Sequence, residues 1–312
     1  MKNKVDISIV IVSWNAKKYL TDCVESLLSQ ESSRTMEIIV VDNASTDGSP
    51  EVIMERFPEV ILIQNEKNLG FAKANNIGIN RSTGKYICLI NSDIKILNGC
   101  ILKLYYFMEE NSPAGIIGPK ILNSDLSSQS SCRRFPSLWN NFCSAFGLNK
   151  ISPNSKEFSG EQMFYFQHNR VERVHVVSGC FMMVRRKALD QVGYLDDQFF
   201  MYSEDIDWCK RFWDAGWEVA FSPNARAIHY GGASSSNSPI KFSVEQEKAI
   251  LQYWAKHHSR PAQSTIFLII FIKHVVRILL GSLLYILKPS DRRKITLYIK
   301  EHITYIYSLF HS

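Results

Sequence analysis

The chain has 312 residues, of which 46% are apolar and 21% are charged. This composition excludes an intrinsically disordered chain and is enough for a sizeable core in one large or two ordinary domains. The formal net charge of +6 is compatible with an anionic ligand or an anionic membrane surface, and no nucleic-acid partner is expected.

The cysteine pattern and the N-terminus indicate a cytosolic start. The seven cysteines are scattered and form no CxxC pair, which predicts buried thiols in a reducing compartment. The apolar run within residues 1–15 is too short for a signal peptide. We therefore expect the protein to begin folding in the cytosol.

Strand-like and helix-like segments alternate over the first 94 residues. Strands are predicted within 7–15, 36–49, 60–66 and 84–94, and helices within 16–30, 49–57 and 70–82. This β-α-β-α-β-α-β order predicts an α/β fold with a mostly parallel central sheet covered by helices on both faces.

Polar residues follow each of the predicted strands. They are Ser13 and Asn15, then Asp42 and Asn43, then Asn65 and Glu66, and finally Asn91, Ser92 and Asp93. Ligands of open α/β sheets bind at the carboxyl ends of the strands. The chain has neither GxGxxG after the first strand nor GxxxxGK[ST], which argues against dinucleotide-binding and P-loop proteins.

The rest of the first 240 residues divides into an irregular part and an ordered part. Residues 123–172 are rich in Ser, Asn and Pro, which predicts a long insertion or a lid over a site. Residues 174–193 indicate two strands and the start of a helix. A helix is predicted over 205–217 and a strand with a Gly-rich loop over 218–232.

Seven motifs that occur in order carry a family resemblance. They are VSWNAKKYLTDCVESLLSQ, IIVVDNASTDGS, NEKNLGFAKANNIGI, GKYICLINSDI, VVSGCFMMVRRKAL, FFMYSEDIDWCKR and IHYGGAS. Together they resemble the inverting glycosyltransferases of family 2 with the GT-A fold, and most of all the bacterial rhamnosyltransferase-like branch that builds surface polysaccharides. The resemblance covers about residues 5–236.

The resemblance implies a metal-dependent enzyme that moves a sugar with inversion, with L-rhamnose as the candidate sugar. The donor would be a dTDP- or UDP-sugar, and the acceptor a saccharide or a polyprenyl-linked saccharide in cell-surface polysaccharide synthesis. Two alternatives are a nucleotide-sugar-binding protein without catalysis and a nucleotidyltransferase. The acids at 204–205 and Asp93 disfavour the first, and the lack of a Gly/Arg/Lys-rich loop after the first strand disfavours the second.

Donor binding is implied for a set of residues at the strand ends and in the segment after the third strand. These are Ser13, Asn15, Asp42, Asn43, Asn68, Gly70, Asn75, Asn91, Ser92 and Asp93. A carboxylate or amide at 42–43 can hydrogen-bond base and ribose, and an Asx turn is the structural alternative. Gly70 would allow close approach of the backbone.

A metal site is implied by Asn91-Ser92-Asp93, which stands where the family has its DxD motif. Asp93 would bind Mn²⁺ or Mg²⁺, which neutralises charge on the diphosphate. Asn91 departs from the motif and is assigned to the ribose or to contacts around the metal. His229 is the implied second protein ligand, with a structural histidine as the alternative. The Gly-Gly-Ala-Ser segment 231–234 would close over the diphosphate.

Three acids stand among aromatic residues in the stretch 199–217, namely Glu204, Asp205 and Asp207. Helix capping and the helix dipole account for one or two of them, with Ser203 or Glu204 as the cap. Inversion needs a base that deprotonates the acceptor hydroxyl, and a shielded carboxylate with a raised pKa suits that role. The resemblance implies Asp205 as the base and Glu204 as an acceptor-binding residue, with Asp207 structural.

Two further features concern phosphate and membrane binding. Arg133 and Arg134 either contact phosphate or form a solvated basic pair. Residues 266–287 are apolar enough to span a bilayer, but Lys273 and Arg277 favour a helix in the interface plane, with a packing or oligomer helix as the alternative.

These features predict a GT-A catalytic domain over 1–240 and a C-terminal helical, membrane-associated segment over 241–312. The protein would then be cytoplasmic and peripheral on the inner face of the cell membrane. An oligomer is compatible with this organisation.

Overall fold

The computed structural model describes residues 5–231 and 239–310. They form two compact units. The first, here called the sheet unit, comprises 5–135 and 166–231. The second, here called the helical unit, comprises 136–165 and 239–310.

The strands and helices have the following bounds. The strands are β1 Ile7–Ser13, β2 Met36–Asp42, β3 Ile61–Gln64, β4 Tyr86–Asn91, β5 Ile94–Ile96, β6 Ala114–Leu122, β7 Cys132–Arg133, β8 Glu172–Arg173, β9 Val176–Val177, β10 Phe181–Arg185 and β11 Glu218–His229. The helices are α1 Lys17–Leu28, α2 Ser49–Arg56, α3 Phe71–Arg81, α4 Cys100–Glu110, α5 Leu138–Ala145, α6 Leu148–Ile151, α7 Arg186–Val192, α8 Glu204–Asp214, α9 Pro239–His257, α10 Arg260–Leu287 and α11 Arg292–Phe310.

A mixed sheet forms the centre of the sheet unit, with the strand order β3-β2-β1-β4-β10-β6-β11-β5 and β8 beside β11. The first four strands in this order are parallel, as predicted. β10 is antiparallel to both of its neighbours, β4 and β6. The α/β prediction is therefore confirmed, and the parallel half of the sheet is the part with the β-α alternation.

Helices cover both faces of the sheet because the side chains of β1 alternate between them. Ile7, Ile9 and Ile11 share a core cluster with buried residues of α1 on one face. Val10 faces the other side, where α3 approaches so closely that a Cβ on Gly78 would lie 2.3 Å from Val10 Cγ1. All seven cysteines are free and buried, as predicted.

The helical unit is held by a buried polar network as well as by apolar contacts. His274 Nε2 lies 2.8 Å from a Glu247 carboxylate oxygen, and its Nδ1 lies 2.9 Å from His302 Nδ1. Lys273 forms an ion pair with the same glutamate. Lys273 was one of the two charged residues, with Arg277, that favoured a helix in the plane of the membrane interface. It is therefore paired within the helical unit.

The predicted insertion over 123–172 is divided between the two units. Residues 136–165 belong to the helical unit, where α5 contacts α10. Ser137 caps α5 by accepting a hydrogen bond from Asn140 N. The remaining parts of the insertion belong to the sheet unit.

α10 is the one helix among the described residues that is long and apolar enough to cross a bilayer, with a mean hydropathy of 2.2. At 1.5 Å per residue, its 28 residues extend about 42 Å. Its exposed apolar side chains recur every three or four residues from Leu268 through Ile272 and Val276 to Leu279, and over 283–287 they occupy consecutive positions. Together they form an apolar stripe that widens toward the C-terminal end of the helix.

We expect Gly78→Ala to destabilise the sheet unit, because the new Cβ would clash with Val10. Overpacking of this kind costs about 1–3 kcal/mol, which exceeds the ~1 kcal/mol that Ala gains over Gly in a helix. Urea denaturation of the variant measures the change. Asn80→Ala on the exposed side of α3 is the control and should be neutral or slightly stabilising. Equal stability of the two variants would contradict the tight packing of α3.

Candidate active site

Three adjacent strands end together with buried oxygen atoms that have no partner. β1 lies between β2 and β4, with Ser13 opposite Asp42 and Val12 opposite Asn91. Ser13 Oγ, Asp42 Oδ1 and Asn91 Oδ1 are buried and make no hydrogen bond within the described part of the chain. Since buried polar atoms are nearly always paired by protein, water or a ligand, these oxygens indicate where a polar ligand binds.

Asp42 and Asn15 also shape the loop that follows β2. Asp42 Oδ2 accepts a hydrogen bond from Ser45 N, three residues on, at 2.9 Å, whereas the Asx turn expected as the alternative closes two residues on. Asn15 Oδ1 accepts from Thr46 N at 2.7 Å. Asp42 therefore has one oxygen committed to the loop and one available to a ligand.

Asn43 organises the segment after β3. Its Nδ2 donates to Asn68 Oδ1 and to Gly70 O, both at 3.1 Å. Its Oδ1 accepts from Asn65 Nδ2 and from Leu69 N. This side chain holds the wall of the site through internal hydrogen bonds.

Asn75, which was also expected to bind the donor, is buried and donates to Phe71 O at 2.9 Å. Its hydrogen bond lies within α3.

Gly70 allows a close approach of the backbone, and the segment that approaches it is the loop before α8. Its φ is +84°, and a Cβ at this position would lie 2.4 Å from Phe200 O. Phe71 N donates to the same carbonyl at 2.7 Å. The close approach therefore brings the loop before α8 against the start of α3, so that the two segments are joined through the backbone.

The two predicted metal ligands lie side by side. Asp93 follows β4, and its Oδ1 is 3.2 Å from His229 Nε2 at the end of β11. The pairing is reinforced by Tyr230 N, which donates to Asp93 O at 3.0 Å. Asp93 is buried, as is Ser92 beside it. Among the described residues no group of three or more His, Cys, Asp or Glu side chains could hold a metal ion.

The loop before α8 has an unusual backbone. Tyr202 and Ser203 both have positive φ, at 71° and 63°. Non-glycine residues in this region are strained, and such strain is concentrated at functional sites. Ser203 occupies the N-cap position, but its side chain makes no capping hydrogen bond, so the predicted side-chain cap is wrong at this residue.

Asp205 is held in place by hydrogen bonds and by a cation. Its Oδ2 accepts from Gly179 N at 3.0 Å, and its Oδ1 accepts from Ile206 N at 2.9 Å. Arg133 Nη2 lies 3.9 Å from Oδ2. Arg133 therefore lies beside the neighbouring acids Glu204 and Asp205 rather than in a solvated basic pair.

The Oε2 atom of Glu204 is buried and makes no hydrogen bond within the part of the chain that the structure describes. Burial, followed by the negative charge of Asp205, raises the pKa of Glu204 to about 8. At neutral pH this carboxyl group carries its proton.

Asp207 faces away from this pair. It is fully buried, and its Oδ2 accepts from Arg211 Nε at 2.9 Å. Arg211 also donates to Val192 O and Tyr194 O, so that the ion pair fastens α8 to the residues around the end of α7.

Three contributions to the site were not predicted from the sequence. Gly179 N–H, Phe200 O and the side chain of Gln129, which lies 2.8 Å from His229 Nδ1, all act through contacts between distant residues. Only the Ser-Gly break before β10 gave a signal in the sequence. Of the predicted diphosphate loop 231–234, residues 232–234 lie outside the described residues.

We expect Glu204→Gln to change how stability depends on pH. Between about pH 5 and 8 the folded chain keeps the Glu204 proton, whereas the unfolded chain has lost it, so unfolding releases a proton. The free energy of unfolding of the wild type should therefore fall as pH rises, by at most about 1.4 kcal/mol per pH unit from this group.

Gln cannot ionise, so the variant should gain stability relative to the wild type as pH rises from 5.5 to 8. Denaturant titrations of both proteins at several pH values measure the difference. A difference that stays constant over this range would show that Glu204 ionises normally in the folded protein.

Comparison with known proteins identifies the family. The family described as "Glycosyl transferase family 2" matches residues 8–193. The N-acetylglucosaminyl-diphospho-decaprenol L-rhamnosyltransferase of Mycobacterium tuberculosis (strain ATCC 25618 / H37Rv) is 27% identical over 278 residues, which are 81% of this chain and 85% of that protein. The dTDP-rhamnosyl transferase RfbF of Shigella flexneri is 26% identical over 310 residues, which are 96% of this chain and 93% of that protein.

The crystal structure of GalNAc-T7 with UDP, GalNAc and Mn²⁺ shares the fold, with a TM-score of 0.57 at 15% identity. The similarity covers 82% of this chain and 51% of that longer chain, and it confirms the predicted GT-A fold. Because the family match spans more than half of the residues, the chain belongs to glycosyl transferase family 2 and is a glycosyltransferase.

Proposed function

We propose that this glycosyltransferase moves L-rhamnose, with inversion, from a dTDP-sugar to a lipid-linked saccharide in the assembly of a cell-surface polysaccharide. The observation that carries the proposal is the group of unpaired buried oxygens at the ends of β1, β2 and β4, next to Asp93 and His229. Two relatives that match most of the chain are named for rhamnosyl transfer, one of them with dTDP and the other with a diphospho-decaprenol acceptor.

The donor is proposed to bind along these strand ends. Ser13 Oγ and Asp42 Oδ1 are available to hydrogen-bond the base and ribose, and Asn91 Oδ1 extends the row toward Asp93. Asn43 supports the pocket from behind through its bonds to Asn68 and Gly70. This division separates residues that touch the donor from residues that shape its pocket.

A divalent cation, Mn²⁺ or Mg²⁺, fits the pair formed by Asp93 and His229. The distance of 3.2 Å between Oδ1 and Nε2 is near the ~3 Å that separates adjacent ligands of an octahedral ion with bonds of about 2.1 Å. When bound, the ion would stabilise the negative charge of the leaving diphosphate. With two protein ligands, the other positions would be taken by water and diphosphate oxygens. Mn²⁺ is present in the structure of GalNAc-T7.

The base is proposed to be Asp205. The acceptor hydroxyl oxygen attacks the anomeric carbon from the face opposite the diphosphate, its proton passes to Asp205, and the bond from carbon to diphosphate breaks. Burial raises the pKa of Glu204, so its protonated carboxyl group can donate a hydrogen bond to the acceptor. Gly179 N–H and Arg133 hold Asp205 in position for the transfer.

The helical unit supports the proposed acceptor and the proposed location in the cell. The exposed apolar stripe of α10 is suited to a membrane, where a polyprenyl-linked acceptor is held. The cluster Arg292, Arg293 and Lys294 at the start of α11 would add attraction to anionic lipids. We place the protein on the cytoplasmic face of the cell membrane.

We expect Asp205→Asn to lower sugar transfer by ~10²–10⁴ while nucleotide binding stays near normal, because the change removes the base and little else. Glu204→Gln should lower activity less, since the neutral amide retains a hydrogen-bond donor. Steady-state kinetics with dTDP-rhamnose, together with separate dTDP-binding measurements, test both variants.

Asp207→Asn is the matched control, because Asp207 is paired with Arg211 in the protein interior. It should reduce stability more than turnover. Near-normal turnover of Asp205→Asn, or a greater loss of turnover in Asp207→Asn, would show that the base is assigned to the wrong acid.

We expect the double variant Leu279→Glu/Leu283→Glu to weaken binding to vesicles that contain anionic lipids. Both side chains are more than half exposed on the apolar stripe of α10, and two added carboxylates oppose insertion and repel anionic headgroups. Flotation with liposomes measures the bound fraction. Met54→Glu, at an equally exposed position on α2, is the control. Equal flotation of both variants and the wild type would contradict a role of α10 at the membrane.

A further inference from the structure

Gln129 reaches His229 because the chain reverses direction after β6. β6 and β11 are parallel neighbours, with Leu122 opposite Ile228. A tight turn follows β6, closed by the hydrogen bond from Asn123 N to Ser127 O at 2.9 Å. Gln129 then lies back alongside β6, and its N–H donates to Ile121 O at 2.9 Å. Its side chain therefore faces the residue that ends β11.

The side chains of this turn form a hydrogen-bond chain with one direction. The Ser127 hydrogen bonds hold the pKa of Asp125 below its usual range, and an ionised Asp125 only accepts, so the Ser127 hydroxyl must donate to it. Ser127 Oγ then accepts from Asn123 Nδ2 at 2.9 Å. Asn123 Oδ1 in turn accepts from Gln129 Nε2 at 2.9 Å.

This direction leaves only the oxygen of Gln129 for the histidine. Gln129 Oε1 lies 2.8 Å from His229 Nδ1, and an oxygen acceptor requires that Nδ1 carry the hydrogen. In the neutral imidazole Nε2 is then the unprotonated nitrogen. This nitrogen lies 3.2 Å from Asp93 Oδ1. Two electron-rich atoms at this distance are close enough to bind the same cation.

We propose that Gln129 is a positioning residue that fixes the ring orientation and the Nδ1–H tautomer of His229, so that Nε2 is presented to the divalent cation. The inference rests on the metal site of the proposed function. Such partners of metal-binding histidines raise the basicity of the ligand, and their loss typically costs 10–100-fold in metal affinity. Asp125, Ser127 and Asn123 extend this support to the surface of the turn.

The test is Mn²⁺ binding, followed by the electron paramagnetic resonance signal of free Mn²⁺ with and without dTDP or UDP. Gln129→Met keeps the length of the side chain but has no strong acceptor for Nδ1–H, and it should weaken Mn²⁺ binding roughly 10–100-fold. Gln129→Glu keeps an acceptor oxygen and should bind Mn²⁺ nearly as well as the wild type. Thermal melting confirms that each variant is folded.

Gln191→Met is the matched control, because Gln191 Oε1 also accepts from a ring N–H, that of Trp217 at 3.0 Å. It should leave Mn²⁺ binding unchanged. In addition, NMR of protein with ¹⁵N-labelled histidine should show His229 with hydrogen on Nδ1 in the wild type and a mixture of tautomers in Gln129→Met.

Normal Mn²⁺ binding by Gln129→Met would overturn the inference about Gln129 and leave the metal site intact. Equal losses in Gln129→Met and Gln191→Met would also overturn it. If the wild type itself bound no Mn²⁺ with either nucleotide, the metal site and the inference would both be wrong.

Discussion

The site depends on the burial of oxygen atoms that the protein itself leaves unpaired. Ser13 Oγ, Asp42 Oδ1, Asn91 Oδ1 and Glu204 Oε2 are all buried without a partner among the described residues. An unsatisfied buried polar group costs about 1–3 kcal/mol, so such oxygens are expected to be paired by water or by a ligand. A nucleotide sugar and its acceptor are rich in hydroxyl groups that could donate to them. The same arrangement therefore provides hydrogen-bond acceptors for the proposed substrates.

The fold brings these atoms together by joining distant segments through the backbone. Gly70 lets the start of α3 contact Phe200, so that the wall of the proposed donor pocket and the loop before α8 support each other. Gly179 N–H connects Asp205 to the turn before β10, and Asn91 N donates to the neighbouring Cys180 O at 2.9 Å. Asp205 and the strand ends are thereby held by one network of short-range contacts.

Local patterns predict the parallel half of the sheet because β-branched runs and helical periodicity are signals within a single segment. They do not predict that β4 ends at Asn91 and that β5 begins at Ile94, or that β10 enters the sheet antiparallel, because pairing depends on distant segments. The site residues came from the resemblance, which brings Asp93 and His229 together correctly. It does not give the raised pKa of Glu204, which depends on how deeply each acid is buried in three dimensions.

The most direct test of the proposed activity is the stereochemistry of transfer. Purified protein would be incubated with dTDP-rhamnose, Mn²⁺ and an N-acetylglucosaminyl-diphospho-polyprenol acceptor, and NMR of the product would give the anomeric configuration of the new bond. The account predicts a rhamnosylated acceptor whose anomeric configuration is opposite to that of the donor, because a single base, Asp205, serves one displacement. A product with retained configuration, or release of dTDP without transfer to the acceptor, would contradict it.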